Sequence, residues 1–230
     1  MKYFRLENAN SRKEVGFQFQ TNGFIEGYDI DGPNSRTKIT YDKFPDFVPD
    51  LRFELHPKSK LTDVVDASNI SAMGFLINEK VKNIFSQFKN SGYRFYDASI
   101  VDHNGQILPY FWMHIVSNNY SMIDFERSIF RKSNFPLKTA TTKNDDVIDI
   151  ANIEDFEEKA DALFPDDYYV VPDEIKFNNK EGYDCLYFSK LRIKSVYISE
   201  RLAIMLKKEK ITGIEIVESS DFHEIEKVDS

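Results

Sequence analysis

The stretch Val196–Glu218, VYISERLAIMLKKEKITGIEIVE, has a near-twin in Phe75–Asp97, FLINEKVKNIFSQFKNSGYRFYD. At one constant offset the two align without a gap. Ile77 meets Ile198, Glu79 meets Glu200, Lys89 meets Lys210 and Gly92 meets Gly213. Apolar positions match as well: Val81 with Leu202, Ile84 with Met205, Phe85 with Leu206. Each copy reads as strand, helix, strand. Phe75–Ile77 and Val196–Ile198 are short apolar runs with strand propensity. Asn78 and Ser199 follow as N-caps, whose side-chain oxygens accept an orphan backbone N–H. Glu79 and Glu200 then favour the positive end of the helix dipole. Val81, Ile84, Phe85 and Phe88 fall on one helical face, whereas the second copy places Glu209 where Phe88 stands. Gly92 and Gly213 are expected to allow the turn into the next strand.

The likeness extends upstream, where FVPDLRFEL (Phe47–Leu55) resembles VVPDEIKFN (Val170–Asn178). The expected fold is therefore α+β: mixed sheets with a few amphipathic helices, built on two strand–helix–strand units at about 75–97 and 196–218 that form a pseudo-repeat. One domain over 1–230 is expected, made of two related α/β halves at about 44–130 and 165–218 behind a β-rich segment 1–43. In that segment KYFRL and VGFQFQ carry strand formers. Asn104-Gly105, between apolar runs, predicts a hairpin leading into a central strand at PYFWMHIVS. Lys138–Asp149 reads as a loop and Asn152–Phe164 as a capped helix with Ile153, Phe156, Ala160 and Leu163 inward. GYDCLYFS reads as a buried strand, and the tail from Ser219 as frayed.

Composition bounds the function. The 230 residues carry 38 acidic and 30 basic side chains, a formal net charge of −8, which argues against a general nucleic-acid binder and suits a basic partner. The lone Cys185 excludes an intramolecular disulfide and fits a reducing compartment. MKYFRLENAN has no apolar core of a signal peptide, and no apolar run is long enough to span a membrane. A cytoplasmic, bacterial-type protein is the expectation.

Chemistry-bearing motifs are sparse. His56, His103, His114 and His223 have no ligand-like spacing, and a single cysteine builds no thiolate site. His114 sits between Met113 and Ile115 in a strand and reads as a core histidine. Cys185 lies in the apolar run DCLYF, where burial makes a thiol inert. No nucleophile elbow, P-loop or dinucleotide fingerprint occurs. Asp173, Glu174 and Lys176 in VPDEIK supply the letters of a metal-dependent nuclease, but contiguously, with Asp173 on the strand face opposite Glu174 and Lys176. Cofactors and metals are accordingly expected to be none. Acidic clusters stand out instead: Asn144–Asp146, Glu154–Asp161 and Pro165–Asp167, followed by Tyr168-Tyr169. They read either as solvated surface or as a docking face where carboxylates steer a basic partner and tyrosines anchor it. The candidate face is Asp145, Asp146, Asp155, Glu158, Asp166, Asp167, Tyr168 and Tyr169. The locally basic Lys190–Lys210 lacks an aromatic platform for nucleic acid.

Several phrases, LINEKVKNIF, YISERLAIML, KLTDVV (Lys60–Val65), YRFYDASIVD (Tyr93–Asp102), YFWMHIVS (Tyr110–Ser117) and IDFERSIF (Ile123–Phe130), resemble the immunity protein eleven family of bacterial polymorphic-toxin systems. The resemblance runs over roughly Phe44 to Val217 and leaves the first forty residues unplaced. It implies a cytoplasmic antidote that binds a cognate toxin domain and blocks its active site, without chemistry of its own and without membrane or nucleic-acid partners. It fixes no binding residues. The alternative is a metal-dependent hydrolase using Asp173, Glu174, Lys176 and His114, or another partner-binding module.

Overall fold

The structure, a computed structural model, describes residues 2–22, 25–67, 69–117, 119–134, 146–191, 193, 195–220 and 222–224. The first part of the chain contains β1 (Tyr3–Asn8), α1 (Arg12–Val15), β2 (Arg52–Glu54), β3 (Val64–Val65), β4 (Gly74–Ile77) and α2 (Glu79–Phe85). The hairpin β5 (Tyr93–Val101) and β6 (Ile107–Ile115) follows, then β7 (Ile129–Ser133), β8 (Asp146–Ile148) and α3 (Ile153–Leu163). The last part holds β9 (Tyr169–Phe177), β10 (Cys185–Leu186), β11 (Val196–Ser199), α4 (Glu200–Lys208), β12 (Ile214–Glu218) and β13 (Phe222–Glu224). The fold is α+β, with three sheets ordered β2-β5-β6-β4-β3, β10-β11-β1-β12 and β13-β9-β7-β8.

The pseudo-repeat is realised at the level of register. In the first sheet β4 and β5 flank β6, each antiparallel to it. In the second sheet β11 and β12 flank β1 in the same way. Each unit is thus a strand–helix–strand whose parallel strands are split by a third strand between them. The outer strands correspond too: Val64 pairs with Ile77 and Val65 with Leu76, as Cys185 pairs with Ile198 and Leu186 with Tyr197. Phe111 faces Ile77 and Asp97 as Phe4 faces Ile198 and Glu218. Even side-chain bonds repeat. Tyr110 Oη donates to the Thr62 carbonyl at 2.6 Å, and Tyr3 Oη donates to the Tyr183 carbonyl at 2.7 Å. The upstream likeness also has a counterpart: β2 pairs parallel with the end of β5, and β9 pairs parallel with β13.

The splitting strand enters differently in the two copies. In the first it follows the unit through the Asn104-Gly105 turn, with Gly105 at φ 76°. In the second it is β1, supplied from the other end of the chain. The second copy is circularly permuted, and its strands run from 169 to 224 and then 3 to 8, against 52 to 115 for the first. This moves the expected half boundaries of 44–130 and 165–218 and absorbs part of the N-terminal segment into the repeat. That segment is not β-rich beyond β1. VGFQFQ does not extend: Val15 ends α1 and Gly16 turns at φ 77°. Gln20 is instead buried and bonded to the Lys60 carbonyl, Thr62 Oγ1 and the Asp66 amide, so side-chain bonds replace a ladder.

One core lies between the repeats. It joins Ile77, Val81 and Phe85 of the first to Ile198, Leu202 and Leu206 of the second. Burying each such side chain is worth about 1.5–3 kcal/mol. The opposite sheet faces build separate cores, one with Trp112, Leu76 and Phe53, the other with Tyr197, Leu186, Phe130 and Phe156. The caps form as their residue types dictate: Asn78 accepts from the Val81 amide and Ser199 from that of Leu202. Two acids lock the copies together. Asp63 accepts from Asn78 Nδ2 and from the Thr212 amide that follows α4. Its equivalent Asp184 accepts from Ser199 Oγ and from the Lys89 amide that follows α2. Each repeat therefore holds the turn after the other repeat's helix.

Three further readings change. Residues 138–145 lie outside the described residues, while Asp146–Ile148, read as loop, pairs with β7 as β8. GYDCLYFS is buried as expected, but only Cys185 and Leu186 are strand. The tail is not frayed at Phe222, which is buried and stacks on Phe177 and Tyr197 at 4.0 Å between ring centroids. No helix among the described residues is long and apolar enough to cross a membrane.

Candidate partner-binding face around the acidic helix

A duplicated scaffold directs attention to what is not duplicated. Two connections stand outside the repeat: residues 9–51, between β1 and β2, and residues 116–168, between β6 and β9. They meet beside α3. Function on a rigid scaffold concentrates in such connections.

α3 forms where its sequence predicts. Asn152 Oδ1 accepts from the Asp155 amide at 2.8 Å, and Asp155 Oδ2 accepts in return from the Ala151 amide at 2.8 Å. Ile153, Phe156 and Ala160 are buried, and Leu163 packs on the same core. Asp167, in the left-handed region at φ 58°, ends the turn and releases the chain into β9. Residues 153–167 hold seven Asp or Glu and one Lys. Since the apolar face is spent on the core, the carboxylates face outward.

The candidate residues that the structure describes lie on α3, on the turn after it and on β8 and β9. Glu158, Asp166 and Asp167 are exposed along and beyond the helix. Asp146 is exposed on β8. Tyr168 is exposed, with Lys132 Nζ 4.2 Å from its ring centroid, and Tyr169 is half-buried against Phe164. Asp155 has a different job: besides the cap it binds Lys159 Nζ at 2.8 Å, and these donors hold its carboxyl below the usual range. Asp145 lies outside the described residues.

Sequence reasoning missed the neighbouring trough. Two adjoining hollows of about 670 and 680 Å³ run along the other side of α3 and share Lys190. Glu154, Glu157, Asp161 and Phe164 line the helix side, and Tyr41 and Asp42 line the far side. The helical spacing of these acids was visible; which side would open onto a hollow was not. Tyr41 and Phe164 are 55% and 57% exposed, high for large rings. Lys190 Nζ binds Glu157 Oε2 at 2.8 Å, and this bond raises the lysine's pKa.

The hydrolase candidates do not form a site. Asp173 Oδ2 accepts from Arg131 Nε at 2.9 Å, Glu174 pairs with Lys176 at 2.5 Å, and His223 lies 3.4 Å from Glu174. His114 stands in a different sheet, buried among the rings of Phe44, Tyr96 and Trp112. Among the described residues, no group of three or more His, Cys, Asp or Glu is placed to hold a metal ion. Burial pushes the Cys185 thiol up to about 12, as expected for a core thiol. Comparison of the chain with protein-family models and with curated proteins gives no match.

His114 has a measurable consequence. Burial, slightly opposed by the Thr40 backbone, lowers its pKa from 6.5 to about 4. Between those values the unfolded chain takes up a proton that the folded chain refuses. Stability is therefore expected to fall as pH drops from about 6.5 to 4, by up to about 3 kcal/mol from this residue. Urea midpoints measured across that range should decline, and His114→Gln should remove most of the decline. An unchanged slope in the variant would assign the acid sensitivity elsewhere.

Proposed function

We propose that this protein is an immunity-type inhibitor: it binds a cognate toxin domain, covers that domain's active site, and performs no chemistry. The observation that carries the reading is the exposed acidic face of α3 and its continuation through Asp167, joined to exposed Phe164 and Tyr168. Many toxin domains act on polyanions through basic clefts, and an acidic, ring-studded surface complements such a cleft. The resemblance of the repeated phrases to the immunity protein eleven family supports the same partner class. A bacterial cytoplasm, where the antidote meets the toxin, is the corresponding setting.

Growth rescue tests the class. The C-terminal domain of a secreted protein encoded beside this gene is expected to be toxic alone and harmless when co-expressed with the chain. Toxicity without rescue overturns the proposal. The face is tested with Glu158→Lys and Asp166→Lys together, both exposed and outside the first turn of α3. The double variant should keep its melting temperature and lose about ten-fold or more in association rate at low salt. An unchanged rate would place the docking face elsewhere.

A further inference from the structure

We infer that the trough beside α3 is a seat for an arginine side chain of a protein partner, and that Lys190 is an internal placeholder in that seat. This deepens the proposed function and rests on it only for the identity of the macromolecule that brings the arginine.

The trough lies where the two non-repeated connections meet over the second repeat, which supplies Tyr187, Ser189, Lys190 and Ile193 to its lining. One wall carries Tyr41 and Asp42, and the other carries Glu154, Glu157 and Phe164. Rings and carboxylates together suit a planar cation: the guanidinium stacks on ring faces while its N–H groups fork onto a carboxylate. The protein already uses the trough in this way. Lys190 places its ammonium on Glu157 Oε2 at 2.8 Å and 5.9 Å from the Tyr120 ring centroid. That pair is weakly held, with side chains 35% and 44% exposed. A half-exposed ion pair is worth at most about 1 kcal/mol, so an incoming cation displaces it readily. Tyr41 and Phe164 line the same hollow as the pair and stay open to solvent. They are the large rings that a stacking guanidinium would cover.

The placeholder role makes a prediction of unusual sign. Removing Lys190 vacates Glu157 and should strengthen binding of a cationic peptide. The probe is fluorescein-labelled hexa-arginine amide, titrated into the full chain at low salt, with hexa-lysine and hexa-glutamate as comparators. The native chain is expected to bind hexa-arginine tighter than hexa-lysine and to ignore hexa-glutamate. Tyr41→Ala and Phe164→Ala should each weaken hexa-arginine binding about five-fold, as loss of a stacking face predicts. Both rings are more than half exposed, so each truncation should lower the melting temperature by no more than a few degrees, most for Phe164, which packs on Tyr169. Lys190→Gln should tighten binding about three-fold or more, while Lys180→Gln, an exposed lysine outside the trough, should change it less than about 1.5-fold. Equal effects of the two lysine variants would reduce the gain to overall charge and overturn the placeholder. Intact binding in both ring variants would overturn the seat. Peptide binding that behaves as expected beside failed growth rescue would leave the seat standing and discard the toxin as its source.

Discussion

Asp184→Ala is expected to destabilise the protein by about 4 kcal/mol and to lower its melting temperature by roughly 8–16 °C. The side chain is wholly buried. It accepts from Arg201 Nε at 2.5 Å, Arg201 Nη2 at 2.6 Å, Ser199 Oγ at 2.6 Å and the Lys89 amide at 3.1 Å. Burial alone would push its pKa up; bonds from Arg201, Ser199 and Lys89 overcome that and hold it below the usual carboxylate range. Each hydrogen bond to a charged group is worth about 1.5–3 kcal/mol. The Arg201 share is discounted, because that guanidinium is 60% exposed and rehydrates when its partner goes. The hydroxyl of Ser199, a fully buried residue, has no such escape. Asp63→Ala removes the equivalent acid of the first repeat. It should cost only about 2 kcal/mol, since two of its bonds, from Thr212, lie at the surface. Denaturant unfolding of both variants checks the order. A loss below about 1 kcal/mol at Asp184 would mean that the cross-repeat lock contributes little. The stabilisation from both acids is full above a pH of about 4 and is lost as pH falls further, a window below that of His114.

Gly213→Ala should cost about 3–4 kcal/mol, by two separable effects. Gly213 has φ 84°, which an L side chain reaches only at about 1–2 kcal/mol. A Cβ there would also overlap the Val64 carbonyl oxygen on the outer strand of the other repeat. That neighbour is backbone and belongs to the β3–β4 pairing, so it yields only with the sheet, for roughly another 1–3 kcal/mol. Gly182→Ala isolates the first effect: its φ is 68°, and nothing lies within 4 Å of the added carbon. It should cost about 1 kcal/mol. Equal losses at the two positions, measured by urea unfolding, would show that the collision is relieved by small shifts and that backbone conformation alone sets the penalty.

The paired glycines also show how far sequence reading reached. Both were expected to serve a turn. Gly213 does, at φ 84°. Gly92 does not adopt a positive φ, and is required because a Cβ would overlap the Val116 carbonyl oxygen. Sequence reports the residue, whereas the reason depends on what approaches it. The acidic face follows the same rule. Local spacing put Glu154, Glu157 and Asp161 on α3, but Tyr41 and Lys190, distant in sequence, turn one side of that helix into a trough.

The repeated strand–helix–strand units, their caps, the Asn104-Gly105 hairpin and the inward face of α3 are legible along the chain. These are properties of short windows, fixed by periodicity, capping chemistry and turn residues. Long-range packing brings β1 from the start of the chain to split β11 from β12. It also decided that Asp63 and Asp184 bind across the repeats, and that the two unrepeated connections meet over Lys190. A strand's partner, a buried acid's donors and the walls of a hollow are choices among distant segments. They are settled by the joint burial of apolar faces and the pairing of polar groups, which no local window contains.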